Sequence, residues 1–226
     1  DSAIGSVRAV KPAVLIGSAN GSASSTNAAH LKTSGVLETW GAFSNKALGL
    51  GATLPNGALQ TSQSCDAGAS ICWGPLPVLT TQPFVQVTAS PTQMVAIRSD
   101  GTLWAWGGTK AVPTQISTAT WIKVSNQWGA LLAIRADGTL WGCGINDQGQ
   151  LGVASLPTSG ANVLTQIGAT TDHWLSVSAG TAYVLAIKDD GSIWSWGQND
   201  VGQLGDGTKT NHTPPAKASS GPYRAI

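Results

Sequence analysis

One short segment recurs along this chain, and a recurring unit restricts the fold more than any other feature. MVAIRSDGTLWAWG (Met94–Gly107), LLAIRADGTLWGCG (Leu131–Gly144) and VLAIKDDGSIWSWG (Val184–Gly197) align without a gap. AAHLKTSGVLETWG (Ala28–Gly41) is a weaker copy. Each copy alternates apolar and polar residues on both sides of a turn pair, which predicts strand, turn, strand. The pairs are Asp100-Gly101, Asp137-Gly138 and Asp190-Gly191, with Ser34-Gly35 in the weak copy. Asp-Gly predicts a two-residue type I′ turn, because that turn needs positive φ at both positions.

The repeat extends outward. A short strand is expected upstream of each turn, at Phe84–Val87, Trp121–Val124 and Trp174–Val177, and its final Val lies fourteen residues before the turn glycine each time. Val7–Val10 fits as the earliest copy with an eleven-residue insertion, and Tyr223–Ile226 begins a further one. Downstream, NDQGQLG (Asn146–Gly152) and NDVGQLGDGT (Asn199–Thr208) are related turns, and NKALGLG (Asn45–Gly51) is a degenerate version. The turn glycines at 35, 101, 138 and 191 are separated by 66, 37 and 53 residues. Trp73-Gly74, at the repeat offset from Gly68, suggests a worn copy inside the first interval. Counting it gives 39 residues per copy, the size of a four-stranded propeller blade. The expectation is an all-β chain: a β-propeller of four-stranded antiparallel blades. About five blades fit into a single domain, 1–226, with insertions near 12–27 and 52–72.

The stretch from Trp174 to Pro215 resembles the repeat of the regulator of chromosome condensation family. It carries an Ala-Gly loop, a Leu-Ala-Ile strand, an Asp-Gly turn, a Trp-x-Trp-Gly strand and Gly-Gln-Leu-Gly-Asp-Gly-Thr. Trp121–Gly152 matches well, and Phe84–Gly107 matches in its strands but lacks the long turn. The resemblance implies a propeller, usually of seven blades. At 39 residues per blade this chain holds fewer than six, so it is expected to be a fragment or to complete a ring by self-association. The chain begins at Asp1 with no signal-peptide pattern, and a processed chain or a fragment is expected. The resemblance implies a binding protein, and bacterial members of the family include secreted inhibitory propellers. It also brings an alternative, guanine-nucleotide exchange on a small GTPase with nucleosome binding.

Composition removes several function classes. Net charge is +1 and only 10% of residues are charged, so no basic field suits nucleic acid. No apolar run approaches the ~20 residues that span a bilayer, and no membrane insertion is expected. Eight of the ten Trp occupy repeat positions, which makes them packing elements of the repeat. Lys32, Arg98, Arg135 and Lys188 share one repeat position, three before the turn glycine, and are read as a solvated or stacking stripe.

Cys65 and Cys72 bracket six residues, consistent with a disulfide across a hairpin loop and hence an oxidising compartment. A metal pair is the alternative, without a second pair or His nearby in sequence. Cys143 stands where sister repeats hold Trp106 and Trp196 and is read as a packing residue. His30, His173 and His212 come with no triad constellation. Asn199, Asp200 and Asp206 lack calcium-loop spacing, and no Gly-Lys-Ser/Thr phosphate loop is present. No catalytic residue, metal or cofactor is expected, and the chain is read as a non-enzyme.

The informative positions are those where copies differ. The loop between the Val strand and the Leu-Ala-Ile strand varies across Thr88–Gln93, Ser125–Ala130 and Ser178–Tyr183. Loops carry binding while strands carry the fold. Trp128 is the candidate anchor, with Asn126, Gln127, Gln93, Thr181 and Tyr183 beside it. The expected function is a protein-binding propeller scaffold, extracellular or cell-surface in a bacterium. A glycan-binding propeller and a filament subunit are further alternatives.

Overall fold

The structure is a computed structural model that describes residues 27–32, 34–42, 71–78, 82–224 and 226. These residues form fifteen strands and four antiparallel sheets. The first sheet holds β1 (Asn27–Leu31), β2 (Leu37–Ala42) and β3 (Ile71–Val78) in that order. The second runs β4 (Phe84–Ala89), β5 (Gln93–Arg98), β6 (Leu103–Gly107) and β7 (Lys110–Ser117). The third runs β8 (Trp121–Gln127), β9 (Ala130–Arg135), β10 (Leu140–Gly144) and β11 (Ala161–Ile167). The fourth runs β12 (Trp174–Ala179), β13 (Tyr183–Lys188), β14 (Ile193–Gly197) and β15 (His212–Ser219). Each sheet is one blade, and the all-β propeller architecture is the one expected. Among the described residues no helix is long and apolar enough to cross a membrane.

The worn copy is corrected. Residues 71–78 are no blade of their own: β3 pairs with β2 as the outer strand of the first blade. A Trp-Gly pair alone does not define a blade, because pairing depends on the neighbouring strand. The long first interval is one blade carrying an insertion. Val7–Val10, most of the insertions near 12–27 and 52–72, and Cys65 lie outside the described residues; so does the side chain of Cys72.

The turn type is also corrected. Arg98 N–H donates to the Thr102 carbonyl and Gly101 N–H to the Arg98 carbonyl. Three residues therefore sit in the loop, and of these only Gly101 has positive φ, +83°. This is a type I turn closed by a left-handed glycine. The same bonds recur around Gly35, Gly138 and Gly191. The aspartate stabilises the turn from within: Asp100 Oδ1 accepts Thr102 N–H at 2.9 Å and its hydroxyl at 2.6 Å. Asp137 and Asp190 repeat the arrangement with Thr139 and Ser192.

Those glycines also join the blades. The Gly35, Gly101 and Gly138 carbonyls accept the N–H of Phe84, Trp121 and Trp174, the first residue of the next blade. The Gly191 carbonyl accepts Tyr223 N–H at 2.9 Å, so Tyr223 opens a fifth unit by the same bond. A Cβ on Gly101 would stand 2.7 Å from Thr120 Cγ2, and one on Gly191 2.9 Å from Pro222 Cα. Glycine is required here both for its φ and for the close approach.

Strand alternation divides each blade's side chains between two interfaces. Met94, Ala96 and Trp106 of the second blade pack with Ala29, Leu31 and Leu37 of the first. Val95, Ile97 and Leu103 face Trp121, Val124 and Leu131 of the third. Leu132, Ile134 and Leu140 face Trp174, Val184 and Trp196 of the fourth. Among the described residues the core is thus three slabs between blades, each closed by the residue that opens the next blade, and a small cluster of Ala130, Leu151 and Ala161 inside the third blade.

The basic repeat position stacks. Arg98 lies 3.4 Å over the Trp104 ring, Arg135 4.2 Å over Trp141 and Lys188 3.8 Å over Trp194. Each of those indoles donates back to Thr102, Thr139 or Ser192 at the turn. The first blade has Glu38 in the Trp104 slot, and there Lys32 makes an ion pair at 2.5 Å instead.

Candidate binding face

In every four-stranded blade the connections from first to second and from third to fourth strand emerge at the same end. The candidate residues belong to that end. In the third blade β8 and β9 are joined by two residues only, Trp128 and Gly129, between the paired Gln127 and Ala130. Their φ angles are +45° and +81°. Positive φ at both positions is the pattern of a type I′ turn, which elsewhere favours Asn, Asp or Gly. Trp128 is the one non-glycine residue with positive φ among the described residues, and 47% of its surface is exposed. A bulky side chain in this region is strained, and such strain persists only where surrounding structure imposes it. Here Gly129 is pinned: its carbonyl accepts Ile145 N–H at 3.1 Å, and its Cα lies under the Ile145 side chain.

The other candidates divide by role. Thr181 is exposed and Gln127 half-buried. Tyr183 is half-buried, and its ring covers Gly180 so closely that a Cβ there would meet Cε1 at 2.4 Å. Asn126 is buried at 3% exposure. Its Nδ2 donates 3.1 Å to the Gln93 carbonyl of the second blade. That carbonyl also accepts Ser90 N–H at 2.8 Å. Asn126 and the Gln93 backbone therefore hold the second and third blades together beneath the face, and Asn126 does not present its side chain to solvent. Gln86 Nε2 to the Val124 carbonyl at 3.1 Å is a second tie between those two blades, and Ala179 N–H to Ser125 Oγ at 2.9 Å ties the fourth to the third. The exposed Trp128 thus stands on a rigid platform, the condition under which a contact residue loses little freedom on binding.

Two long connections flank it, residues 145–160 and 198–211. Both use one hydrogen-bond code. Asn146 Oδ1 accepts Leu151 N–H and Asn199 Oδ1 accepts Leu204 N–H. Gln150 donates to Asp147 and Gln203 to Asp200. Asp206 accepts Thr208 N–H at 2.8 Å and pairs with His212 Nε2 at 2.5 Å. These bonds, the Thr208 backbone first, hold the Asp206 carboxyl well below the usual carboxylate range. Asn199, Asp200 and Asp206 are engaged within the loop. Among the described residues no group of three His, Cys, Asp or Glu stands ready for a metal ion.

Cys143 packs against the slab between the second and third blades. Burial pushes its thiol up to about 11, with Lys110 opposing the shift. At neutral pH it is protonated, as suits a packing residue and not a nucleophile.

The sequence reading missed Gly129, Lys110 and the geometry of the Trp128 turn. The available signal was the absence of the long Gly-Gln-Leu-Gly turn after Gly107, next to the loss of Trp at position 143.

Comparison with known proteins agrees with the repeat. Residues 190–224 and 174–203 match two models of the regulator of chromosome condensation (RCC1) repeat. A retinitis pigmentosa GTPase regulator homolog of Caenorhabditis elegans is 50% identical over 38 residues, 17% of this chain and 3% of that protein. A protein RCC2 homolog of Xenopus laevis is 32% identical over 71 residues, 31% of this chain and 14% of that protein. Human WBSCR16 has the same fold with a TM-score of 0.69 at 17% identity, over 84% of this chain and 49% of that one. Prp20p of Saccharomyces cerevisiae, whose structure was described with its binding to Gsp1p and histones, gives 0.56 at 15% identity, over 87% of this chain and 62% of that one. The chain therefore spans about half the WBSCR16 chain and a small part of its sequence relatives. These relatives are eukaryotic, and the expected bacterial type finds no support among them. Repeat matches over residues 174–224 and the blade architecture together support an RCC1-like β-propeller.

Proposed function

We propose that this chain is a non-catalytic scaffold that binds a protein partner on the face carrying Trp128. The observation that carries the reading is the exposed indole held in a strained two-residue turn. Large rigid aromatic side chains dominate interface energies, and strain at an exposed position is a cost that function explains. The RCC1-like architecture supports a binding and regulatory role. The names of the relatives, a GTPase regulator homolog and a Gsp1p- and histone-binding protein, make small GTPases and core histones the first partners to try.

The test is binding of a small-GTPase panel and of core histones to the immobilised chain and to Trp128→Gly. That variant keeps the turn and removes the indole. Retained folding and at least a ~30-fold weaker complex are expected, since an interface anchor is worth ~2 kcal/mol or more. Unchanged affinity for every partner rejects the Trp128 face. Glycan binding through Trp128, the alternative, predicts capture by an oligosaccharide array with no protein present. Self-association to complete a ring predicts a mass above 23.0 kDa by light scattering. Placement outside the cell rests on the proposed Cys65–Cys72 disulfide, and a thiol count on denatured, unreduced protein tests it: one free thiol supports it, three oppose it.

A further inference from the structure

The blade interfaces share one plan, and the slot of Trp106 and Trp196 departs from it in the third blade. Between the third and fourth blades, Trp196 is fully buried, and its Nε1 donates 2.9 Å to the Gln150 carbonyl in the long turn of the third blade. Ile167 and Val184 pack with it. Between the second and third blades the same slot holds Cys143, and the second blade has only Gly108 and Thr109 between β6 and β7. Both partners of the indole contact are thus absent together.

What remains is an open cleft of about 380 Å3 on the binding-face side of that interface. Cys143 and Leu131 line it; Leu131 pairs with Cys143 as Val184 pairs with Trp196. Ile116 lines it too, and its counterpart in the segment Thr-Gln-Ile is Ile167, which packs with Trp196. The cleft therefore occupies the place an indole fills one interface further on. Its size falls in the ~300–1,000 Å3 range of small-molecule pockets. Lys110 is the one charged residue lining it, with Gln93 and Asn162 as uncharged polar neighbours.

We infer that this cleft binds a planar aromatic ring bearing a carboxylate, the ring in the vacant indole slot and the carboxylate toward Lys110. A cleft of mixed lining that stands where the next blade places an indole accepts a ring of that shape, and the one cation lining it favours an anionic substituent. The acid is either a free aryl carboxylate or the C-terminal residue of a peptide. The cleft adjoins the Trp128 turn, since Gly129 and Gln93 line it, but the Trp128 indole itself does not. Loss of binding in Trp128→Gly tests the proposed function, and loss in Cys143→Trp or Lys110→Met tests the cleft.

Titration calorimetry with indole-3-acetate, indole, and a tripeptide ending in Trp, free or amidated at its C-terminus, tests this on the intact chain. Indole-3-acetate or the free-acid tripeptide is expected to bind at least ~5-fold tighter than its neutral counterpart. Lys110→Met should abolish that preference while leaving indole binding intact. Cys143→Trp should abolish binding of all probes. Peptide-resolved alkylation of Cys143 at alkaline pH, where its raised thiol yields enough thiolate to react, is a second readout, which bound probe should slow in the unsubstituted chain. Tighter binding of the tripeptide assigns the acid to a chain terminus, and tighter binding of indole-3-acetate to a free molecule. Absence of binding at millimolar probe, or equal binding by Cys143→Trp with unprotected Cys143, overturns the proposal.

Discussion

Two neighbouring interfaces of one repeat array differ at one side-chain slot and in the turn that covers it, and the difference separates what the repeat needs from what it can vary. At the third-to-fourth interface an indole is buried, hydrogen-bonded to the long turn of the preceding blade and set 6.0 Å from Trp174. At the second-to-third interface the indole and the turn are both missing, and a half-buried thiol stands beside a cleft. Trp106, in the same slot of the first-to-second interface, is fully buried with no partner for its Nε1 among the described residues. The slot therefore accepts an indole with or without an acceptor, and the bond to Gln150 is a feature of the third-to-fourth interface. A stacked repeat tolerates such differences because each blade meets only its neighbours.

The largest effect should come from erasing the difference from the Trp side. Trp196→Ala removes a fully buried ring and is expected to cost about 3–5 kcal/mol, whereas Cys143→Ala should stay within about 1 kcal/mol. Guanidinium unfolding of both variants measures this. Equal losses would mean the two interfaces are energetically alike. Next in size are the turn glycines. Gly101→Ala forces a Cβ into left-handed φ and against Thr120, with an expected loss of about 1–3 kcal/mol. Gly108→Ala has positive φ and open space, so it should cost less, at the low end of that range. A difference in melting temperature between the two checks that close approach adds to φ strain.

The repeat was legible because its residues do the same work in each blade. Asp100, Asp137 and Asp190 all cap their turns, and the basic position stacks wherever the Trp slot is filled. Register was not legible. Asp-Gly suits both a two-residue turn and the last two positions of a three-residue loop; Arg98 pairing with Thr102 across the loop decides between them. Trp73-Gly74 matched a blade end by composition, yet β2 claims that segment as its outer partner. The Trp128 turn was hidden for the opposite reason. Tryptophan opposes positive φ, so only tertiary contacts such as Ile145 N–H to the Gly129 carbonyl reveal it. Of the site, the exposed Trp128 and Thr181 were readable from loop position. The inward role of Asn126 was not, because burial depends on the blade alongside.

A smaller effect separates the first blade from the others. Arg98 stacks between Trp104 and Phe84, at 3.4 and 5.6 Å from their rings, whereas Lys32 pairs with Glu38 near solvent. Arg98→Gln is expected to cost about 0.5–2 kcal/mol. Lys32→Gln should cost about 0–1 kcal/mol and grow weaker still in high salt. If salt changes the Arg98 loss as much as the Lys32 loss, the stacking account of the repeat is wrong.

The smallest effect is a pH dependence. Hydrogen bonds from Thr102, Thr139 and Ser192 lower the carboxyls of Asp100, Asp137 and Asp190. A group with a depressed folded pKa adds stability that is complete above the unfolded value near ~4 and is lost as pH falls through the folded value. The three caps are exposed, so water screens each of them. Replacing Asp137 by Asn should lower the melting temperature slightly at pH 7 and leave it nearly unchanged at pH 2, where the unsubstituted carboxyl is also losing its charge. Asp206→Asn should follow the same direction, with faster amide exchange confined to residues 199–211, since Asp206 bonds only within that loop and to His212 at its edge. Exchange quickening throughout the fourth blade would instead mean that this loop supports β14 and β15 as a unit.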